Sequence, residues 1–125
     1  MPNEEYAYAI KRFDRDNGKR VHTEDFAQIF QVYSYAKYEK YNYEQIADAL
    51  YSYSHQALKD VQQLARRILV NILLANGDAH LKNWSVIYSN PQRPMLSPAY
   101  DIVSTIPYVK GEKEFALNMA KNKNW

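Results

Sequence analysis

Residues 76–101, NGDAHLKNWSVIYSNPQRPMLSPAYD, hold a helix-ending turn, three spaced polar groups and a hairpin-like return, and their reading decides the fold. Asn76-Gly77 closes a long apolar helical run, since glycine reaches the left-handed conformation that ends a helix without steric cost. Asp78 therefore opens a loop. Beyond it, Trp84-Ser85-Val86-Ile87-Tyr88 is aromatic and β-branched, and Met95-Leu96-Ser97 is a second short extended run. Between them, Ser89-Asn90-Pro91-Gln92-Arg93-Pro94 has the proline and polar content of a hairpin loop. Asn83 and Asp101 are equally distant from Gln92. A hairpin closing there sets these two oxygen-bearing side chains opposite each other, across strands that stand roughly 5 Å apart.

From Asp78 the chain reads D-x-H-x-x-N, ending at Asn83, which is the spacing protein kinases use between a catalytic aspartate and a metal-binding asparagine. The carboxylate accepts a hydroxyl proton, and the asparagine carbonyl binds a hard cation such as magnesium, which prefers oxygen ligands. Two ligands of one octahedral magnesium, each at about 2.1 Å, lie no more than ~4.2 Å apart, and with allowance for an empty site the expectation for the Asn83 and Asp101 oxygens is a separation within ~6 Å.

These motifs, Asp78-Ala79-His80-Leu81-Lys82-Asn83 and Tyr100-Asp101-Ile102, resemble those of the HipA-like serine/threonine kinase toxins. The resemblance implies that Asp78 is the proton acceptor and that Asn83 and Asp101 are magnesium ligands. It further implies that His80, Leu81, Lys82 and Asn83, with Tyr100 and Asp101, surround ATP. Lys11-Arg12-Phe13-Asp14-Arg15 is similar to the R-F-D-R segment of the same family, where the chain passing between lobes meets adenine largely through its backbone, which adds Lys11, Arg12 and Phe13 to the nucleotide contacts.

Composition sets looser bounds. The chain has 125 residues, enough for one core, a formal net charge of +2 and no cysteine. Disulfides and thiolate zinc sites are excluded, and the near-balanced charge gives no field favouring nucleic acid or an anionic membrane. No apolar run is long enough to span a bilayer and Met1-Pro2-Asn3-Glu4-Glu5 lacks a signal-peptide pattern, so the expectation is a soluble cytoplasmic protein. The 12 tyrosines are read mainly as helix residues with the ring on the core and the hydroxyl in water.

Taken in order, Tyr6-Ala7-Tyr8-Ala9-Ile10 reads as a strand leading into the polar turn Asp16-Asn17-Gly18-Lys19. His22-Thr23-Glu24-Asp25 reads as a helix start capped by Thr23, the helix running to about Tyr38. A second helix begins near Asn42, with Gln45 at the reciprocal capping position, and buries Ile46, Ala49, Leu50 and Tyr53. A third runs from about His55 to Asn76 on Leu58, Val61, Leu64, Ala65, Ile68, Leu69, Ile72 and Leu73. Arg66 and Arg67 are left out of the site as solvated or paired charges. Residues 102–107 pack the metal-binding turn onto the helices, Lys113 to Asn118 form a strand, and the polar end from Lys121 frays.

The resulting fold class is α+β and mainly helical: a kinase-like C-terminal lobe over 1–125, with an N-terminal hinge (6–16), a helical scaffold (23–76) and a catalytic and metal-binding segment (77–107) carrying a small β hairpin. A glycine-rich phosphate loop and a strand-borne lysine are absent from the sequence, so the resemblance covers only part of a kinase and implies a missing N-terminal lobe. It also implies a protein substrate, an aminoacyl-tRNA synthetase in this family, and a helix-turn-helix antitoxin as partner, with no direct nucleic-acid binding expected. The alternative from another class is a catalytically inactive remnant that binds a protein through its tyrosine-rich helices.

Overall fold

The computed structural model describes residues 7–111 and 113–124. The expected hairpin forms: strand β4 (Ser85–Tyr88) runs antiparallel to β5 (Met95–Leu96), with Val86 opposite Leu96 and Ile87 opposite Met95. It has a third strand that the sequence reading placed in a helix. His22–Asp25 is β3, numbered after a two-residue hairpin of β1 (Arg15–Asp16) and β2 (Lys19–Arg20), and it pairs with β4 from His22–Tyr88 to Asp25–Ser85. Asn17 (φ 46°) and Gly18 (φ 78°) both turn left-handed between β1 and β2, the backbone that a two-residue hairpin needs. Tyr6 lies outside the described residues, and residues 7–12 form no strand, which corrects the hinge strand expected there.

The first helix is correspondingly shorter than its periodicity suggests. Helix α1 is only Phe26–Ile29 and is capped by Asp25, not Thr23: the Asp25 carboxylate accepts from Gln28 N–H, and the Gln28 side chain accepts from Asp25 N–H. Gln31 then takes φ 55° and ends the run, leaving one short 3₁₀ turn at Ser34–Ala36. Helix α2 (Tyr43–Tyr53) starts where expected, on a reciprocal box between Asn42 and Gln45. It buries Ile46 and Leu50, whereas Tyr53 is 75% exposed.

Helix α3 (Ala57–Leu73) packs against α2 with a face that only partly overlaps the expected apolar one: Leu64 is in the core and Val61 and Ile68 pack against it. Leu64 is buried, while Leu58, Leu69 and Leu73 remain exposed and the polar Asp60 and Asn71 are inside. Asp60 explains the choice. Its carboxylate accepts from Leu96 N–H at 2.7 Å, from Ser54 Oγ at 2.5 Å and from the Gln56 side-chain amide at 2.8 Å, fastening α3 to β5 and to the α2–α3 turn. At its other end α3 closes through Ala75, with φ 50°, and not through Gly77, which corrects the glycine reading. Ala75 N–H reaches Ile72 O and Asn76 N–H reaches Asn71 O, both at 2.9 Å. A non-glycine residue in this conformation costs roughly 1–2 kcal/mol, and the crossed pair of bonds at the helix end offsets it.

The remaining strands β6 (Glu114–Met119) and β7 (Asn122–Asn124) form an antiparallel pair, so the polar end reads out as a strand rather than a frayed tail up to Asn124. Ala116 and Leu117 on β6 close the core of Phe26, Ile46, Leu50, Leu64, Leu81 and Trp84. Residues 102–107 join the helices through polar contacts: the Thr105 hydroxyl donates to Ala75 O at 3.0 Å and accepts from Gly77 N–H at 2.9 Å, while Val103 and Ile106 stay exposed. Tyr33, Tyr35 and Tyr51 are exposed as well, so the core-facing reading of the tyrosines holds for Tyr43 but not for them. Among the described residues no helix is long and apolar enough to cross a membrane.

Candidate active site

The Schellman-type end of α3 delivers residues 78–83 as a short, internally bonded loop that finishes in a 3₁₀ turn, Leu81–Asn83. Asn83 closes it: the side-chain amide donates to Asp78 O at 2.8 Å, and Asn83 N–H donates to His80 O at 2.9 Å. Because Nδ2 is committed to that bond, Oδ1 is the Asn83 atom suited to a cation. Asp78 keeps its side chain half exposed, at 50%, as a group that receives a proton from an outside molecule must. The carboxylate accepts a hydrogen bond from Tyr38 Oη and lies 3.8 Å from His80 Nε2.

His80 is buried, and its ring Nδ1 has no hydrogen-bond partner among the described residues. Burial first, and then the neighbouring Lys37 ammonium, push its pKa below the usual histidine value, so the ring is neutral near neutrality and accepts from Lys37 Nζ at 2.6 Å. Leu81, by contrast, is fully buried in the core, so only its backbone is available to a nucleotide. Lys82 has an exposed side chain, and its carbonyl accepts from Tyr100 Oη at 2.8 Å.

Asp101 arrives from the far side of the hairpin. It is exposed and held at φ 56°, a conformation aspartate tolerates better than most side chains. Asn83 and Asp101 line one small cavity together with Asn71, Tyr100 and Arg67. The cavity is ≈ 10 Å³, about what one water-sized sphere occupies. An amide oxygen and a carboxylate suit a hard cation, and magnesium characteristically takes one or two protein oxygens and completes its shell with water and phosphate. Among the described residues no group of three His, Cys, Asp or Glu side chains is placed to hold a metal ion.

The N-terminal segment touches the same region at Phe13. Phe13 packs on Tyr100 with ring centroids 5.6 Å apart, joining residues widely separated in sequence. Burial raises the Tyr100 pKa, and the hydroxyl is further tied to Ser85 Oγ. Lys11, Arg12 and Phe13 line a separate surface groove with Arg15 and Asp16. The Arg12 guanidinium is already engaged by Asp14, through Nε at 2.7 Å and Nη2 at 2.6 Å, so its charge is matched within the chain.

Four residues near the site were not assigned to it from the sequence, Arg67 having been set aside as a solvated or paired charge. Arg67 donates to Ser97 O at 2.7 Å and borders the Asn83–Asp101 cavity, and its position on the inner side of α3 is visible only after Asp60 sets the helix face. Asn76 is buried and bonded to both loops. Lys37 and Tyr38 come from the irregular segment before α2, where nothing in the local sequence points toward Asp78.

A family model described as the HipA-like C-terminal domain matches residues 1–125. A Sinorhizobium fredii protein named "Putative kinase Y4dM" is 50% identical over 117 residues, covering 94% of this chain and 28% of the relative. A Haemophilus influenzae protein named "Putative kinase" is 37% identical over 113 residues, covering 85% of this chain and 33% of the relative. Among solved structures, the chain is similar to one from the Shewanella oneidensis MR-1 toxin-antitoxin complex of HipA, HipB and operator DNA, with a TM-score of 0.79 and 25% identity over 91% of this chain and 31% of that one. The chain thus spans about a third, or less, of the length of each relative.

Proposed function

This chain belongs to the HipA-like C-terminal domain family, and we propose that its loop 78–83 is the catalytic loop of a serine/threonine protein kinase of the toxin-antitoxin kind. The observation that carries the reading is the convergence of three oxygen-bearing groups: Asp78 and Asn83 share one bonded loop, and Asp101 shares a cavity with Asn83. The reaction moves the γ-phosphoryl group of ATP to a protein hydroxyl. Asp78 takes the hydroxyl proton as the new oxygen–phosphorus bond forms and the bond to the β-phosphate oxygen breaks, releasing ADP. Magnesium, when bound, would be held by Asn83 Oδ1 and the Asp101 carboxylate and supplies charge neutralisation on the phosphate oxygens. The chain's own work is largely positioning, with the Phe13–Tyr100 pair bordering the nucleotide and Lys82 adding positive charge.

A glycine-rich loop and a phosphate-binding lysine would come from polypeptide outside these 125 residues, and the 125-residue chain alone is therefore inactive in this reading. The family resemblance makes an aminoacyl-tRNA synthetase the substrate class and a helix-turn-helix antitoxin the partner. The test is MgATP turnover by the natural full-length polypeptide that carries this sequence, compared with its Asp78→Asn variant. Turnover falls by roughly 10²-fold or more while MgATP binding persists, because the amide keeps the shape and cannot take the proton. Retention of turnover within about tenfold removes Asp78 from the role of base, and absence of turnover in the parent favours the inactive binding module.

A further inference from the structure

Tyr38 stands forty residues before the candidate base, with Lys37 next to it, yet both close on its loop. Tyr38 Oη donates to Asp78 Oδ1. The Tyr38 ring meets the His80 ring edge-on, with centroids 5.0 Å apart and planes at 77°. Lys37 Nζ lies 4.8 Å from the centre of the Tyr38 ring while donating to His80 Nε2 at 2.6 Å, and Lys37 O accepts from Leu81 N–H at 3.5 Å. From the other side, Lys123 on β7 donates to Tyr38 O at 2.9 Å. The tyrosine is thus braced by two elements before it reaches the carboxylate.

A half-exposed aspartate has a soft final torsion, so its two oxygens sample a broad arc unless one is held. We propose that Tyr38 is a positioning residue for Asp78: holding Oδ1, it fixes the carboxylate plane so that Oδ2 faces the reacting hydroxyl, and Lys37 keeps Tyr38 and His80 in register. This deepens the kinase reading and rests on it. A charge-assisted hydrogen bond of this type is among the stronger ones available to a side chain, and misplacement of a reacting group by about 1 Å can cost up to ~10²-fold in rate. The strand β7 enters the site in this way without contributing a side chain to the chemistry.

The experiment uses the natural full-length polypeptide that carries this sequence and follows phosphate release from MgATP, water standing in for the substrate hydroxyl. Tyr38→Phe lowers kcat about tenfold or more and leaves KM for MgATP within about twofold. The double variant Tyr38→Phe with Asp78→Asn is no slower than Asp78→Asn alone, since without the base there is nothing left to orient. Lys37→Met, which retains the tyrosine hydroxyl but removes its brace, lowers kcat in the same direction by a smaller factor and carries the test if Tyr38→Phe does not fold. The inference is overturned if Tyr38→Phe keeps kcat within about twofold, if KM rises as much as kcat falls, or if the effects of the two substitutions multiply. Absence of turnover in the parent overturns the kinase reading and this inference with it, whereas an active parent with an unaffected Tyr38→Phe variant overturns only the inference.

Discussion

Asn76 Nδ2 donates to the backbone carbonyl of Asp101 at 3.3 Å, across 25 residues of sequence, and the same side chain accepts the Asp78 backbone N–H at 3.0 Å. One buried amide therefore sets the separation between the candidate base and the candidate metal ligand. Its nitrogen also donates to Asn71 Oδ1 at 2.6 Å, which anchors the arrangement in α3. Neither loop can shift without breaking a bond to a residue that is 1% exposed.

Asn76→Ala strands the Asp78 N–H and the Asn71 side-chain oxygen together, and a buried unsatisfied group costs about 1–3 kcal/mol. Urea unfolding of the chain should show a loss of about 2–4 kcal/mol, with the hairpin signals of 85–96 retained in amide exchange longer than those of 76–83. A loss below about 0.5 kcal/mol, the size of an ordinary surface substitution, would mean the loops are held by other contacts.

Asp101→Ala acts on the other function of this junction. In the natural full-length polypeptide it should weaken magnesium-dependent nucleotide binding more than Asp78→Asn does, since it removes the charged oxygen ligand and leaves only the Asn83 amide. Titration calorimetry with ATP at two magnesium concentrations checks this: equal affinities for the two variants, with unchanged magnesium dependence, would remove Asp101 from the ligand set.

A pH dependence follows from the opposite end of the chain. Hydrogen bonding to Arg12 holds the Asp14 carboxyl well below its usual range of 3.8, at about 2, against the opposing effect of burial. A depressed folded-state value means the pair stabilises the fold fully above the unfolded value and ceases to do so as pH falls through the folded one. The unfolding midpoint should therefore decline between pH 3.8 and about 2. Asp14→Asn should be less stable near neutrality and lack that step, and an identical acid profile for parent and variant would show that the ion pair does not contribute.

What could be read beforehand is what local chemistry dictates. The hairpin of 84–97 is written in adjacent residues, a proline-rich polar turn between β-branched runs, and the start of α2 is written in Asn42 and Gln45, three positions apart. Strand β3 was hidden because Thr23-Glu24-Asp25 satisfies the chemistry of a helix start, while the partner that claims it, β4, lies some sixty residues onward. The face of α3 was misjudged for a related reason. The apolar stripe from Leu58 to Leu73 is centred on one side of the helix, but the carboxylate of Asp60 is held inward by a backbone amide of β5, so Val61, Leu64 and Ile68 meet the core while Leu58, Leu69 and Leu73 face outward. The candidate site divides in the same way. Asp78 and Asn83 belong to one loop and show in the spacing, whereas Tyr38 reaches Asp78 only through the tertiary fold.

Asp60 also bears on how this domain can drift during evolution. Its two oxygens serve three donors from two segments, β5 and the α2–α3 turn, so asparagine would set an amide against one of them and glutamate would overreach by a methylene. A buried acid is commonly suspected of chemistry. Both oxygens of this one are already engaged by the scaffold, so a substitution at position 60 costs more than one among the exposed leucines of α3.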